Sequence, residues 1–278
     1  MRKKDYVISI GIVIVLISVA SLSGCISGKK IYETTNEEYE VDENTILEVY
    51  NINGEVEVTG YDGDKILLKI LKFTNKIFGE DEFEKVQINV DEVDNRFIIE
   101  TVYLEQVASV RVAVSLEIQV PNYLTVDKVE TLNGAIYLSN VKGDAKIDVK
   151  NGLISVCGVD GYVQATSLNG AIYIKETTGV NGVSTINGAL KVDINDFNQE
   201  IEISTTNGDI EVSINPELNA DLEVKINSIG GFIYLNDLLP FLNLTVNGDR
   251  HVVGTIGEGG DKINVELTAG VIKLYKLD

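Results

Sequence analysis

The feature that most constrains the fold of this chain is an Asn-Gly pair that recurs at a fixed interval. Pairs begin at Asn133, Asn151, Asn169 and Asn187 at equal intervals, and Asn207 begins a fifth after a two-residue insertion. A fixed period with equivalent residues at equivalent places indicates stacked copies of one structural unit, because no single copy can bury its own apolar face.

Each 18-residue unit contains two short stretches in which apolar and polar residues alternate. The third and fifth positions after each asparagine are apolar, and a glycine follows at the tenth in three of the units: Ile136, Ile154, Ile172, Leu190, Ile210; Leu138, Val156, Ile174, Val192, Val212; Gly143, Gly161, Gly179. Alternation predicts strands and the glycines predict corners. We therefore predict an all-β fold, a single-stranded parallel β-solenoid (β-helix) with about 18 residues per coil. Coils should stack at roughly 4.8 Å, and right-handed crossovers are the default for parallel strands.

The Asn-Gly pairs suit tight corners. Glycine adopts left-handed backbone dihedrals freely and asparagine tolerates them. Stacking in register also places Asn133, Asn151, Asn169, Asn187 and Asn207 above one another, where their amides can bond along the axis as a structural ladder. A row of ligand-binding amides is the alternative interpretation.

The N-terminus has the pattern of an export signal. Arg2, Lys3 and Lys4 precede an almost wholly apolar stretch, and "LSGC" ends at Cys25. That sequence resembles the lipobox of lipoproteins, which implies cleavage before Cys25 and lipid attachment to it. An uncleaved membrane anchor is the alternative, because the apolar stretch approaches a spanning length.

Domain boundaries follow from these patterns. Residues 1–24 are predicted as signal peptide or membrane anchor and residues 25–40 as a polar tether. Residues 41–278 are predicted as the solenoid, with irregular N-terminal coils over 41–121 and regular Asn-Gly coils plus a C-terminal cap over 122–278. The positive-inside tendency places this body outside the cytoplasm, at the cell membrane.

The charge of the chain bears on its partners. The formal net charge is −20, and without residues 1–24, which hold three basic residues and one acidic residue, it becomes −22. Such a surface repels nucleic acid and anionic lipid headgroups. It suits solubility, cationic partners or divalent counter-ions.

Residues suited to catalysis or metal binding are few. His251 is the one histidine, and Cys157 is the one cysteine left once Cys25 is lipidated, so His/Cys metal sites are excluded by count. A Ser-His-Asp or Cys-His arrangement would have to use His251, which we predict to be a solvated loop residue and not a catalytic base. Cys157 is predicted as a small buried hydrophobe. Acidic clusters such as Asp62 and Asp64 could hold Ca²⁺, but no EF-hand spacing is present and we predict solvated turns. No cofactor, no metal and no enzymatic activity are expected.

An outward row suggests a binding face. The fourth position after each asparagine carries Tyr137 and Tyr173, and Tyr234 follows in a later coil. Tyrosine on a flat β-surface can dock glycan rings or protein, although exposed tyrosine is also common in sheets. Near the C-terminus, "LLPFL" (238–242) is predicted as a cap, with an exposed contact patch as the alternative.

The order of the motifs resembles a known family. "NINGEVEVTGYDGDKILLKI", then "LEIQVPNYLTVDKVETLNGAIYLSNVKGD", then several NG-x-I-x-V coils are similar to the DUF4097 family, labelled "putative adhesins". The resemblance covers most of residues 45–278 and implies an exported or membrane-tethered strand-repeat solenoid. It implies no catalytic motif.

These patterns favour a non-enzymatic envelope protein that displays a binding face for an envelope glycan or protein. A structural or sensory component that binds a membrane protein is one alternative. A polysaccharide-acting enzyme is the other, although 18-residue coils leave little room for the long loops that build a catalytic groove.

Overall fold

The computed structural model describes residues 14–15, 30–106 and 109–278 and confirms an all-β protein. Its strands, in chain order, are β1 (Ile14–Val15), β2 (Lys30–Glu40), β3 (Ile46–Asn53), β4 (Val56–Tyr61), β5 (Lys65–Asn75), β6 (Val86–Val93), β7 (Arg96–Tyr103), β8 (Val112–Pro121), β9 (Thr125–Asn133), β10 (Ile136–Lys142), β11 (Lys146–Asn151), β12 (Ile154–Asn169), β13 (Ile172–Asn187), β14 (Leu190–Ile194), β15 (Ile201–Asn207), β16 (Ile210–Ile214), β17 (Ala220–Ile226), β18 (Ile233–Tyr234), β19 (Leu242–Asn247), β20 (His251–Ile256), β21 (Lys262–Ala269) and β22 (Ile272–Lys276). The described residues also contain three short 3₁₀ helices, Lys76–Phe78, Glu80–Lys85 and Asn236–Phe241.

The strands form two long hydrogen-bonded faces. The first face runs in the spatial order β1, β2, β5, β8, β4, β10, β12, β13, β14, β16, β22 and β18. The second runs β6, β7, β3, β9, β11, β12, β13, β15, β21, β17, β20 and β19. The long strands β12 and β13 turn a corner and contribute to both faces.

The core lies between the two faces, where equivalent apolar residues lie above one another. Ile136 pairs with Ile154, Ile154 with Ile172, and Ile172 with Leu190, and all four are buried. Each of these pairings joins two residues that are one sequence repeat apart. Fully burying one such side chain contributes about 2 kcal/mol, so each layer stabilises the next.

The predicted tether over residues 25–40 is wrong for its second part. Lys30–Glu40 is the strand β2, which pairs antiparallel with β5 along its whole length. The sequence of β2 is polar because only Ile31 and Tyr39 among its residues pack against the core. The strand is held mainly by backbone hydrogen bonds, which leave no sequence signature.

The prediction that pairing is parallel throughout residues 41–278 is also wrong at both ends. Within these residues, the pairs β5–β8 and β6–β7 at one end, and β17–β20 and β19–β20 at the other, are antiparallel. The β6–β7 hairpin turns at Asp94 and Asn95, which have φ of 48° and 66°. Two consecutive positive φ values are the signature of a tight hairpin turn.

The predicted C-terminal cap, "LLPFL" (238–242), is partly buried and partly exposed. Leu238 is fully buried, whereas Leu239 and Phe241 of the same segment are exposed. Both alternatives for "LLPFL" therefore hold in part, because the segment covers the core with one side and exposes apolar groups on the other.

Candidate functional site

The asparagines of the repeat form a continuous hydrogen-bonded ladder along one corner. Each side-chain amide nitrogen donates to the amide oxygen of the preceding asparagine at 2.7–2.9 Å; the donors are Asn133, Asn151, Asn169, Asn187 and Asn207. Every interior amide is thus both donor and acceptor within the stack. These bonds give the amides a structural role within the stack.

The ladder begins one asparagine earlier than the repeat suggests. Asn133 donates to Asn53, and Asn53 donates to the Tyr103 hydroxyl at 3.3 Å. The regular period cannot connect Asn53 with Asn133, because a long stretch of irregular sequence separates them. The Asn53-Gly54 dipeptide was the available signal.

The corner geometry differs from the sequence prediction for asparagine. None of the six ladder asparagines, Asn53 included, has a positive φ, so left-handed tolerance does not explain their choice. The glycines are required by close approach: a Cβ at Gly170 would lie 1.7 Å from the Gly152 carbonyl oxygen. The asparagine therefore supplies the ladder bond, and the glycine lets the coils approach each other.

The predicted tyrosine row is continuous across the first face. From one end to the other, the residues in register are Asn36, Lys69, Glu117, Glu57, Tyr137, Ser155, Tyr173, Lys191, Glu211, Lys273 and Tyr234. Adjacent strands are about 4.8 Å apart, so this row spans about 48 Å. The row contains both charge signs and three aromatic rings.

Tyr137 and Tyr173 are brought together, and Tyr234 is not. Ser155 lies between the first two tyrosines in register, which places their backbones about 9.6 Å apart, two strand spacings. Tyr234 lies four strand spacings from Tyr173, beyond Lys191 and two further charged residues. Tyr173 is 42% exposed and Tyr234 50%, whereas Tyr137 is half-buried.

A shallow groove adjoins Tyr137. Ser139, Ser155 and Cys157 line it beside the tyrosine, and Glu55 and Glu57 stand on its other side. Within the part of the chain that the structure describes, the hydroxyls of Tyr137 and Tyr173 have no hydrogen-bond partner. The small Ser155 lies in register between the two tyrosines. We call Tyr137, Ser155 and Tyr173, together with the adjoining groove, the Tyr137–Tyr173 notch.

The proximity of Glu55, Glu57 and Ser139 was not predicted from the sequence. They meet because β4 pairs with β10, and these two strands are far apart in the chain. Strand β4 also precedes the regular coils, so the repeat does not predict its partner.

The electrostatics of the groove are acidic. Burial raises the pKa of the Glu55 carboxyl, and the neighbouring carboxylates Glu57 and Glu117 raise it further. Glu117 is paired with Lys69, whose Nζ lies 2.8 Å from a carboxylate oxygen. The groove therefore presents hydroxyls, carboxylates and aromatic surface, a combination suited to sugar hydroxyls or to a cationic group.

Cys157 departs from its prediction as a buried hydrophobe. It is half-buried in the outward row next to the tyrosine row, and its Sγ donates to Glu176 Oε2 at 3.1 Å. The bond to the Glu176 carboxylate raises the pKa of the Cys157 thiol, which disfavours the reactive thiolate.

His251 lies on the second face, far from the notch. Its Nε2 is 3.2 Å from Glu223 Oε1, and Lys262 bonds to the other oxygen of that carboxylate. Bonds from Lys262 and His251 lower the pKa of Glu223. The described residues include no group of three or more His, Cys, Asp or Glu side chains placed to hold a metal ion.

The predicted lipid-attachment residue Cys25 and most of residues 1–24 lie outside the described residues. Ile14 and Val15 are described, and they pair with Asn36 and Thr35 of β2. Across the described ranges, no helix has the length and apolar character needed to cross a membrane.

Comparison with known proteins gives a family match and several remote structures. A family model described as Toastrack DUF4097 matches residues 38–275. A structure from Bacteroides fragilis, described as a "putative adhesin", is 15% identical with a TM-score of 0.38; the match covers 89% of this chain and 98% of that one. A "putative cell adhesion protein" from Clostridium sporogenes is 14% identical with a TM-score of 0.35, covering 88% of this chain and 100% of that one.

A third structure carries a different description. A "putative lipid binding protein" from Parabacteroides distasonis is 11% identical with a TM-score of 0.26, covering 86% of this chain and 96% of that one. No curated protein matches the chain.

Proposed function

Because the chain belongs to the Toastrack DUF4097 family, we propose that it is a non-enzymatic, membrane-anchored binding scaffold of the cell envelope. Its body faces outside the cytoplasm and displays the first face to an envelope glycan or protein. The observation that carries the proposal is the Tyr137–Tyr173 notch, in which two aromatic rings flank a serine on a continuous sheet.

The scaffold in this proposal is a right-handed β-solenoid whose coils have the length of the sequence repeat. Such a scaffold positions its surface side chains rigidly, since each layer is bonded to two others. A rigid surface loses little conformational entropy on binding, which favours recognition by a flat array of side chains.

The anchor in this proposal is either lipid on Cys25 or the uncleaved apolar stretch. Both require the β1–β2 pairing to be given up, and that pairing involves only two residues of each strand. Cleavage before Cys25 removes β1 altogether, and for the uncleaved stretch its transfer into a bilayer outweighs the loss of so short a ladder. The domain then begins at Lys30, so only a short segment separates the membrane from β2.

The chemistry of the notch favours a glycan. A sugar ring can stack on an aromatic ring while its hydroxyls bond to Ser139, Ser155 and the carboxylates of Glu55 and Glu57. The acidic groups oppose sulfated or phosphorylated polymers and favour neutral or amino sugars.

Binding of the full chain to polysaccharide isolated from native envelope tests this proposal. We expect the double substitution of Tyr137 and Tyr173 by Ala to weaken binding at least about tenfold, the effect of losing about 1.4 kcal/mol. Tyr234→Ala is the matched control, because it removes an exposed tyrosine from the same row at a distance. Ser155→Trp should also weaken binding, since it fills the space between the two rings.

Three results separate the functions. Equal binding by all variants would contradict a glycan site at the notch. Stoichiometric crosslinking of the first face to a single membrane protein would favour the structural or sensory alternative. Cleavage of the polysaccharide by the wild-type chain would overturn the non-enzymatic assignment.

A further inference from the structure

Each of the two faces ends in an edge strand at the C-terminal end of the stack. Within the described residues, β19 pairs with β20 alone, so its other side presents unpaired backbone groups. The first face ends at the same end of the stack, in the two-residue strand β18. Unpaired edges are templates for pairing with another chain, and soluble proteins normally protect them.

The two edge strands of the second face differ in the charged residues that protect an edge from pairing with another chain. The opposite edge strand, β6, carries Asp91 and Glu92 and is followed by Asp94. Strand β19 reads Leu-Asn-Leu-Thr-Val-Asn and contains no charged residue. A bulge near Thr245 shortens its regular stretch but leaves the edge uncharged.

Exposed apolar side chains lie in and just before the two terminal strands β18 and β19. Ile229 is 92% exposed, and Phe232, Leu239, Phe241 and Val246 are each more than 40% exposed. The outer side of a terminal repeat is normally polar, because it faces water. An apolar end indicates that this surface is covered in the working protein.

We propose that β19 pairs antiparallel with β19 of a second copy of this chain, across a twofold axis. Two identical edges related by a twofold axis run antiparallel and form an isologous contact. In any antiparallel register only uncharged residues of the two β19 strands face each other. A second copy otherwise meets a strongly acidic surface, with a net charge of −20 per chain, so an uncharged apolar end is where two copies approach at low electrostatic cost.

The position of this contact determines which copies meet. Strand β19 lies at the opposite end of the stack from β2 and β6, about 50 Å away at about 4.8 Å per strand. The orientation relative to the membrane rests on the proposed N-terminal anchor. That anchor holds the β2 end near the membrane, so β19 points away from the membrane. The contact then joins copies on facing membranes.

Sedimentation velocity of the full chain in excess nonionic detergent tests the pairing without reference to the anchor. We expect a concentration-dependent dimer whose dissociation constant rises at least about tenfold in Asn243→Lys, which places a charge on the exposed side of β19. Asn89→Lys is the matched control, because Asn89 is an exposed asparagine on the opposite edge strand β6. Val246→Lys, at an exposed position, provides a second variant if Asn243→Lys does not fold.

The outcomes separate the two proposals. A monomer at all concentrations, or equal weakening by Asn89→Lys and Asn243→Lys, overturns pairing through β19. A dimer in detergent together with a chain that does not enter phosphatidylcholine vesicles supports the pairing and contradicts the anchor. Clustering of vesicles by the wild-type chain, lost in Asn243→Lys, supports contact between facing membranes, and dimer formation without clustering contradicts it.

Discussion

Asn207 Nδ2 donates to Asn187 Oδ1 across 2.9 Å, and this bond is the last of the amide ladder. The next residue in register with Asn207 is Ala269, which is followed by Gly270 as each ladder asparagine is followed by glycine. The backbone of the corner continues after Asn207, since the Gly208 N–H donates to the Ala269 carbonyl. Only the side chain that would extend the ladder is missing.

Ala269→Asn should therefore stabilise the protein by adding one amide bond. We expect about 0.5–1 kcal/mol in the free energy of unfolding, the net value of one hydrogen bond. Chemical denaturation measures the change. Thr268→Asn places an asparagine at the neighbouring exposed position outside the ladder, and equal stability of the two variants would contradict the extension.

The corner glycines allow a second prediction. Gly170→Ala should cost about 3 kcal/mol, because the added Cβ meets the Gly152 carbonyl oxygen and the coils must separate. Gly230→Ala is the control, since nothing lies within 4 Å of a Cβ built there. Thermal unfolding of both variants measures the difference, and a similar loss in the two would show that close packing of coils is not the cause.

The repeat predicted more of the middle of the molecule than of its ends. Between Asn133 and Asn207 the chain returns to the same place after each coil, so the sequence period directly gives the contacts, including the in-register isoleucines. At the ends, β4 meets β10 and β5 meets β8 across long sequence separations. Such pairings depend on hairpin direction and backbone bonds, and neither leaves a period in the sequence.

The site was predicted in the same uneven way. The positions of Tyr137 and Tyr173 followed from the period, and so did the serine between them. Glu55 and Glu57 could not be placed, because Glu57 lies in β4 and Glu55 directly before it, ahead of the regular coils. The separation of Tyr234 from the other tyrosines depends on the order of β16, β22 and β18, which the decaying repeat did not specify.

One position within strands β10, β12 and β13 gives a third prediction. Asn140, Gly158 and Glu176 occupy equivalent positions, and all have positive φ, of 52°, 72° and 54°. Glutamate is poorly suited to this conformation, whereas glycine and asparagine adopt it readily. Glu176→Gly and Glu176→Asn should each stabilise the protein by about 0.5–1 kcal/mol, measured by chemical denaturation. Lys175→Gly, at the adjacent position that the strand requires to be extended, should destabilise, and stabilisation by it would contradict the argument.

A fourth prediction compares two buried threonines in one column. Thr185 Oγ1 donates to the Gly170 carbonyl at 3.0 Å, whereas the buried Thr131 Oγ1 has no hydrogen-bond partner among the described residues. Thr185→Val should cost about 1 kcal/mol, since a bond is lost. Thr131→Val should be neutral or stabilising, because valine removes a buried polar group with no partner. Each variant is the control for the other in urea unfolding, and equal effects would contradict the assignment of the bond.

The pH dependence of stability should contain a contribution from Asp148 on the second face. Burial is the main cause that raises the pKa of the Asp148 carboxyl above its ordinary value of 3.8, and nearby Glu130 also raises it, while Lys146 and Lys128 oppose the shift. A raised pKa in the folded state means that folding favours the protonated acid, so this contribution to stability is complete at pH below the ordinary value and is lost as the pH rises through the folded-state pKa. Asp148→Asn lacks the ionisable group and should gain stability relative to wild type at pH 7 but little at pH 3.5. Thermal unfolding at the two pH values, with the exposed Asp160→Asn as control, measures this, and a pH-independent difference would show that ionisation of Asp148 is not responsible.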